Sequence, residues 1–384
     1  MKIDRVDLFA VRIPYVHTIK FAMGSRSVGD YMVVKIHTDE GAYGIGASGA
    51  LWPVISAETI RGAVQILEEY IIPNALMGED PFAINKITDS MDRVVYGATM
   101  TKSAIDFALH DLMGRVYGVP VHQILGGAQR DVIPQEWIVL LDTPEKMAEN
   151  AKKYIDAGYC GIKFKWGGDV DLDIARTRMI REAIGDDKEL CVDVNQGYAA
   201  DLAIKVINAT EQYNLKFIEE PVNKDDFEGF RKVRQHTNAA LCVDESAWTV
   251  KDAARYIREN LVEYVHAAPS RIGGFVKLRR YVEMAQQHFV TPIYSIYNSP
   301  ALEYACSAHW SFAARPKAIA DEIVGIFNVH GGYGTDDIKE GLTDRINPRL
   351  KDGKLYKPEG PGLGMELNME YVQKHLIYSN TITR

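Results

Sequence analysis

From about Val132 onward the chain repeats one step. Short apolar runs end at Lys165, Asp193, Glu219, Asp244, Ala268 and Ser295, at spacings of 28, 26, 25, 24 and 27 residues. The strand-like runs are Glu136–Leu140, Gly161–Lys165, Leu190–Asp193, Phe217–Glu219, Leu241–Asp244, Tyr264–Ala267 and Pro292–Ser295. Amphipathic stretches suited to helices fill the gaps, from Pro144–Ala157 through to Phe275–His288. A strand, a returning helix and the next parallel strand need about this much chain, and repeating the unit builds a (β/α) barrel. An open doubly wound sheet shows the same alternation, but no GxGxxG follows a strand here. The expected class is α/β.

The chain before Val132 reads differently. Ile3–Ala10 and Tyr31–Ile36 alternate as strands, Thr38–Gly41 is a turn, and Ala42–Gly46 begins a third strand, which suggests an antiparallel meander. Ser56 to about Tyr117 has helical period, stopped by Gly118-Val119-Pro120. The turn-rich stretch 352–364 is expected to pack back on this first region.

Composition bounds the function without naming it. With 44 basic and 52 acidic residues the net charge is −8, which disfavours nucleic acid as a partner. No apolar run approaches the roughly 18 residues that would span a membrane. The beginning MKIDRVDLF is too charged for a signal peptide. Cys160, Cys191, Cys242 and Cys306 show no CxxC spacing and read as reduced thiols of a cytoplasmic protein.

Functional side chains of such barrels sit at the C-terminal ends of the strands. Three successive ends carry an acid: Asp193 in CVDVNQG, Glu219 in FIEEP and Asp244 in CVDES. Carboxylates gathered there repel one another, and a hard divalent cation relieves the conflict. All-oxygen ligation favours Mg²⁺, with Mn²⁺ as the substitute. Asn195, two residues beyond Asp193, is placed to face the same site. Glu220 and Glu245 alternate away from it, and Cys191 and Cys242 point inward one layer deeper. Lys163 and Lys165, at i and i+2 of one strand, share a face that looks into the barrel mouth. Two close ammonium groups and a nearby cation are expected to lower a lysine pKa into the range of a base.

These motifs resemble the enolase superfamily, in its mandelate racemase and muconate lactonizing enzyme branch. The resemblance rests on the run Ala104–Arg115, Leu125-Gly126-Gly127, Lys163-Phe164-Lys165, the DVN, EEP and DES segments, Arg271-Ile272-Gly273-Gly274 and the terminal PGLGMEL, all in family order. It implies an N-terminal α+β capping domain (1–130), a modified TIM barrel of (β/α)7β type (131–355), and a C-terminal segment returning to the cap (356–384). It further implies one Mg²⁺ on Asp193, Glu219 and Asp244, abstraction of the proton α to a carboxylate by Lys165, and Lys163 tuning that base and helping to hold the carboxylate. Arg271 corresponds to a supporting basic residue. Assembly into a homo-oligomer is usual for the family.

The sequence departs from the family at the second base. Where relatives carry lysine or aspartate at the sixth strand end, this chain has Ala268, and no histidine follows the seventh strand. One base then acts alone, as in a cycloisomerase or a syn-eliminating dehydratase, or Tyr294, Tyr297 or His266 stands in. Ser295 belongs to the same hydroxyl-rich segment. Trp52 and Phe21, on the cap loops Ser48–Val54 and Tyr15–Ser27, are candidates to cover the substrate. Tyr198, Trp248 and Tyr297 form a candidate cage for a cationic group. The expected activity is racemisation, epimerisation or cycloisomerisation of a small carboxylate or amino-acid derivative. The alternatives are dehydration of a hydroxy acid and a barrel without turnover that only binds.

Overall fold

The structure, a computed structural model, describes residues 1–384 except 22–23, 298, 318 and 324–340; the side chains of residues 16, 17, 20 and 21 are likewise outside it. Strands Ile3–Phe21 and Gly24–Thr38 form a long antiparallel hairpin, and Tyr43–Ala47 extends it on one side. Leu376–Thr383, from the far end of the chain, pairs along the other side of Ile3–Phe21. The hairpin outruns the alternation visible in sequence because its register breaks between Pro14 and Ile19.

Both faces of the hairpin are covered, as strand alternation allows. Val6, Leu8, Ala10, Met32, Val34 and Ile36 join the core of the helical layer. Val11, Ile13, Tyr31, Val33 and Ile45 join the core that continues into the barrel. The helix Thr99–Tyr117 lies so close to strand Tyr43–Ala47 that a Cβ on Gly44 would stand 2.1 Å from the Ala108 carbonyl oxygen. Only glycine permits that approach. Within the same helix Asp111 accepts from the backbone N–H groups of Ile45 (2.8 Å) and Leu363 (2.7 Å). Asp106 accepts from the backbone of Phe275 at 2.6 Å, at the start of a barrel helix. One cap helix thus binds the sheet, the turn-rich tail and the barrel.

The barrel strands are Glu136–Val139, Gly161–Lys165, Glu189–Asp193, Ile218–Glu219, Leu241–Val243, Tyr264–His266 and Thr291–Ile293. They form one parallel sheet in chain order, and helices fill the gaps between them. Asp321 and Glu322 bridge in parallel to Gln135 and Ser295, so a short eighth segment lies between the seventh strand and the first. Cys191 and Cys242 are buried with Phe217, Ile293 and Ile319 below the strand ends. Trp166 points outward, its indole N–H on Thr177 Oγ1 at 3.0 Å. Among the described residues no helix is long and apolar enough to cross a membrane.

His309, on helix Ala301–Ala313, is fully buried, stacks 5.4 Å from His122, and accepts that residue's backbone N–H on Nδ1. Burial, with His122 beside it, takes its pKa down to about 3, against about 6.5 in an unfolded chain. The fold favours the neutral ring, so this contribution is complete above pH ~6.5 and is lost as pH falls toward 3. Urea denaturation of His309→Gln should therefore lose stability less steeply below pH ~6, by about 1.4 kcal/mol per pH unit. Parallel slopes for variant and wild type would count against this assignment.

Candidate active site

The second, third and fourth barrel strands place their ends side by side: Lys165 is in register with Asp193, and Asp193 with Glu219. Glu219 pairs with Cys242, so Asp244 stands one pleat further toward the mouth. Lys165 Nζ donates to Asp193 Oδ2 at 2.5 Å, and its side chain keeps 14% exposure. Lys163 is buried deeper and donates to Glu219 Oε2 at 2.9 Å and to Glu322. The two lysines do share one face, as their spacing requires.

The electrostatics of Lys163 differ from expectation. Burial pulls its pKa down, but Glu219, Glu322 and Asp193 outweigh this and hold it well above the usual lysine range. The expectation of a lowered value rested on the neighbouring ammonium and on a bound divalent cation; among the protein's own groups the carboxylates of Glu219 and Glu322 prevail. His266 is likewise committed. Its Nε2 lies 3.1 Å from Glu219 and 3.3 Å from Glu322, and Nδ1 lies 3.1 Å from Ser295 Oγ. Those carboxylates raise its pKa against the opposing effect of burial, so it sits as a paired core residue rather than a free base.

Asp193 is pushed up by burial and by Glu219, against the pull of Lys165. Its Oδ1 accepts the backbone N–H of Asn195, whose side-chain amide donates to Glu245 at 3.1 Å. Glu220 alternates away from this group, but into the protein rather than the rim. It is fully buried and accepts from the backbone of Asp244 and from both the backbone and hydroxyl of Ser246. Arg271, fully buried, fixes the next loop. Its Nη1 donates to the carbonyl oxygens of Asp244 (2.5 Å) and Ala247 (2.8 Å), and its Nη2 to that of His266 (2.6 Å). The same Nη2 is 3.1 Å from Asp244 Oδ1.

Glu219, Asp244 and His266 each offer a ligand atom within 4.8 Å of the others. Glu245 Oε2 is buried without a hydrogen bond among the described residues, and Asp244 Oδ1 is met by the Arg271 guanidinium alone. With Asp193 in register beside Glu219, the donors are dominated by carboxylate oxygen, the chemistry a hard divalent cation takes. Asp193 itself stands outside the tight cluster, turned toward Lys165 and Asn195.

The remaining expected residues separate. Tyr297 lies at the site, its ring 6.4 Å from Trp248, with Asp244 close enough to help burial raise its pKa. Its carbonyl oxygen accepts from Ala50 at 3.3 Å, which brings the Ser48–Val54 cap loop to the barrel mouth. Trp52 is part-buried on that loop, with the Arg26 guanidinium 5.5 Å over its ring. Tyr294 does not join them. Ile293 and Ser295 face inward, so Tyr294 faces outward and meets Trp310 edge-on. Tyr198 also points elsewhere, donating to Asp173 at 2.5 Å. The Phe21 side chain and Asn298 lie outside the described residues.

Sequence reasoning missed Glu322, and with it Glu136, whose pKa is raised by burial and by Glu322. The signal existed: one more step of 24–28 residues from Ser295 lands at 319–323.

A cap over a parallel barrel whose mouth gathers acids from three successive strands and a lysine pair from a fourth defines the enolase class of enzymes. Models of that class match both parts of the chain: the mandelate racemase/muconate lactonizing enzyme N-terminal domain over residues 5–126, and the enolase C-terminal domain-like region over residues 146–372. The chain belongs to the mandelate racemase/muconate lactonizing enzyme family. A hydrophobic dipeptide epimerase of Enterococcus faecalis is 34% identical over 369 residues, 95% of this chain and 99% of its own. An N-succinyl-L-Arg/Lys racemase of Bacillus cereus is 31% identical over 387 residues, all of both chains. The crystal structure of a dipeptide epimerase from Cytophaga hutchinsonii, complexed with Mg and the dipeptide D-Ala-L-Val, superposes over all of both chains with TM-score 0.89 at 26% identity.

Breaking a buried ion pair from one side leaves an unpaired charge, at a cost of about 3–5 kcal/mol. Glu322→Ala should destabilise the protein by about that amount in chemical denaturation, and Glu322→Gln by less. An unchanged midpoint in Glu322→Ala would show that Lys163 and His266 do not depend on it.

Proposed function

We propose that this protein is an isomerase that removes the proton α to the carboxylate of a small amino-acid derivative, with Lys165 as the base. The observation that carries the reading is the placement of Lys163 and Lys165 on one face of the second strand, against Asp193, Glu219 and Asp244 at the next three strand ends. Asp193, Glu219 and Asp244 would hold a Mg²⁺ ion, for which Mn²⁺ can substitute. Such an ion supplies Lewis-acid stabilisation of the charge that develops on the substrate carboxylate.

The chain's own groups do the rest. Lys165 is the more exposed of the two lysines and reaches the mouth, where its Nζ takes the α-proton. Lys163, fixed between Glu219 and Glu322, keeps a positive charge next to the forming anion. Arg271 holds the Asp244 loop in place. Epimerisation also needs a proton delivered to the opposite face. Of Tyr294, Tyr297 and His266, Tyr297 is the one at the mouth whose side chain is not committed elsewhere, and we assign that role to it. Epimerase and racemase relatives support the isomerase reading and a substrate built from amino acids.

A second reading rests on Ala268, fully buried and without a functional group where the second base is expected. It favours one-base chemistry, in which Lys165 alone completes a syn elimination of water from a hydroxy acid.

The test is α-proton exchange in D₂O across a panel of dipeptides, N-acyl amino acids and hydroxy acids. Deuterium should enter with Mg²⁺ present, cease with EDTA, and slow by about 100- to 10,000-fold in Lys165→Ala. Equal exchange in wild type and Lys165→Ala would refute the assignment. Tyr297→Phe should keep exchange on one stereoisomer but lose epimerisation. Loss of water from a hydroxy acid, unaffected by Tyr297→Phe, would decide for the dehydratase.

A further inference from the structure

The barrel closes where the Glu136 N–H donates to the Asp321 carbonyl oxygen at 3.3 Å and the Ile323 N–H to the Gln135 side chain at 2.9 Å. That closure brings two acids together in the interior. Glu136 and Glu322 are 1% and 2% exposed, and their carboxyl groups hydrogen-bond each other. Glu136 lies two residues before Ile138, which is in register with Lys163, so it enters the barrel one layer below that lysine. Ionised carboxylates only accept, so a hydrogen bond between two of them needs a proton on one.

The remaining contacts decide which one carries it. Glu322 accepts from Lys163 and lies 3.3 Å from His266 Nε2. Glu136 has no such support. No donor reaches its Oε1 among the described residues, and its Oε2 receives the weak thiol donor of Cys191 at 3.7 Å. Burial opposes its ionisation most, Glu322 and the nearby Glu189 oppose it further, and Lys163 alone favours it. The thiols of Cys160 and Cys191 beside it are neutral, burial raising both. The charges above it already balance. Lys163 and His266 are cations, and Glu219 and Glu322 are the two anions that face them. A third carboxylate there would be buried without a counter-charge.

We propose that Glu136 is a positioning residue for Lys163, a neutral carboxylic acid whose hydroxyl donates to Glu322. Held from below in this way, Glu322 presents its other oxygen to the ammonium. An ionised Glu136 would repel Glu322 and draw the ammonium down, away from the mouth. This deepens the reading above, in which Lys163 supplies charge beside the forming anion, and rests on it for its effect on the reaction.

The proton itself can be read without turnover, from infrared difference spectra between the full-length wild type and Glu136→Gln at about pH 7.5, where an ordinary glutamic acid is ionised. The difference should show the loss of one neutral-carboxyl band and of no carboxylate band. Loss of a carboxylate band would overturn the proposal. So would failure of Glu136→Gln to fold, because the amide keeps the position uncharged and still donates to Glu322. Glu136→Leu is equally neutral but cannot donate. It should slow α-proton exchange in D₂O about tenfold or more, and glutamine should restore what leucine loses. Equal rates in the two variants would overturn the positioning role. If no carboxylate exchanges even in the wild type, the isomerase reading fails, while the infrared difference still decides where the proton sits.

Discussion

Lys163 is enclosed in the barrel with Glu219 on one side and Glu322 on the other, and His266 spans the same two carboxylates. Neither acid would stay ionised there alone, because burial drives both toward protonation. The neighbouring cations reverse that and hold both well below the ordinary range. This balance sets the floor on which the mouth is built. Asp193 and Lys165 pair above it, and Arg271 ties the Asp244 loop back to the carbonyl of His266. A buried ion network of this kind adds little net stability over a well-packed apolar core, but it tolerates no missing partner. What it provides is fixed charge in fixed places, which chemistry on a carboxylate needs.

Much of this was legible in the order of residues. A repeating step of 24–28 residues marked the barrel, because a βαβ unit has a nearly constant length. Acids at three strand ends and lysines at i and i+2 marked the mouth, because strands present alternate residues to one face. The rest was hidden for physical reasons. The eighth segment is reduced to the bridging pair Asp321 and Glu322, too short to read as a strand although one further step of the repeat lands on it, so the acid that fixes Lys163 went unread. Tyr294 was grouped with Ser295 as one hydroxyl-rich segment, although strand alternation sets neighbours on opposite faces. Leu376–Thr383 is mostly exposed on both faces, so it lacks the alternation that reveals a strand.

The cap and barrel meet through polar groups of one helix as much as through apolar area. Asp106 and Asp111 are both fully buried on Thr99–Tyr117, and both spend their carboxylates on backbone N–H groups of other segments. Such contacts fix position more sharply than apolar packing, because a donor has direction. They allow the Ser48–Val54 loop to reach Tyr297 from a separate layer, so the wall of the mouth is assembled from two parts of the chain.

The pairing of Leu376–Thr383 with Ile3–Phe21 also orders events in time. During synthesis the first strand can find its hairpin partner early, but its other edge stays open until nearly all of the barrel has been made. An unpaired edge on a nascent chain invites pairing with the wrong strand. Contacts this far apart in sequence also form slowly. The strand that closes the cap is thus made only after the barrel that it helps to cover.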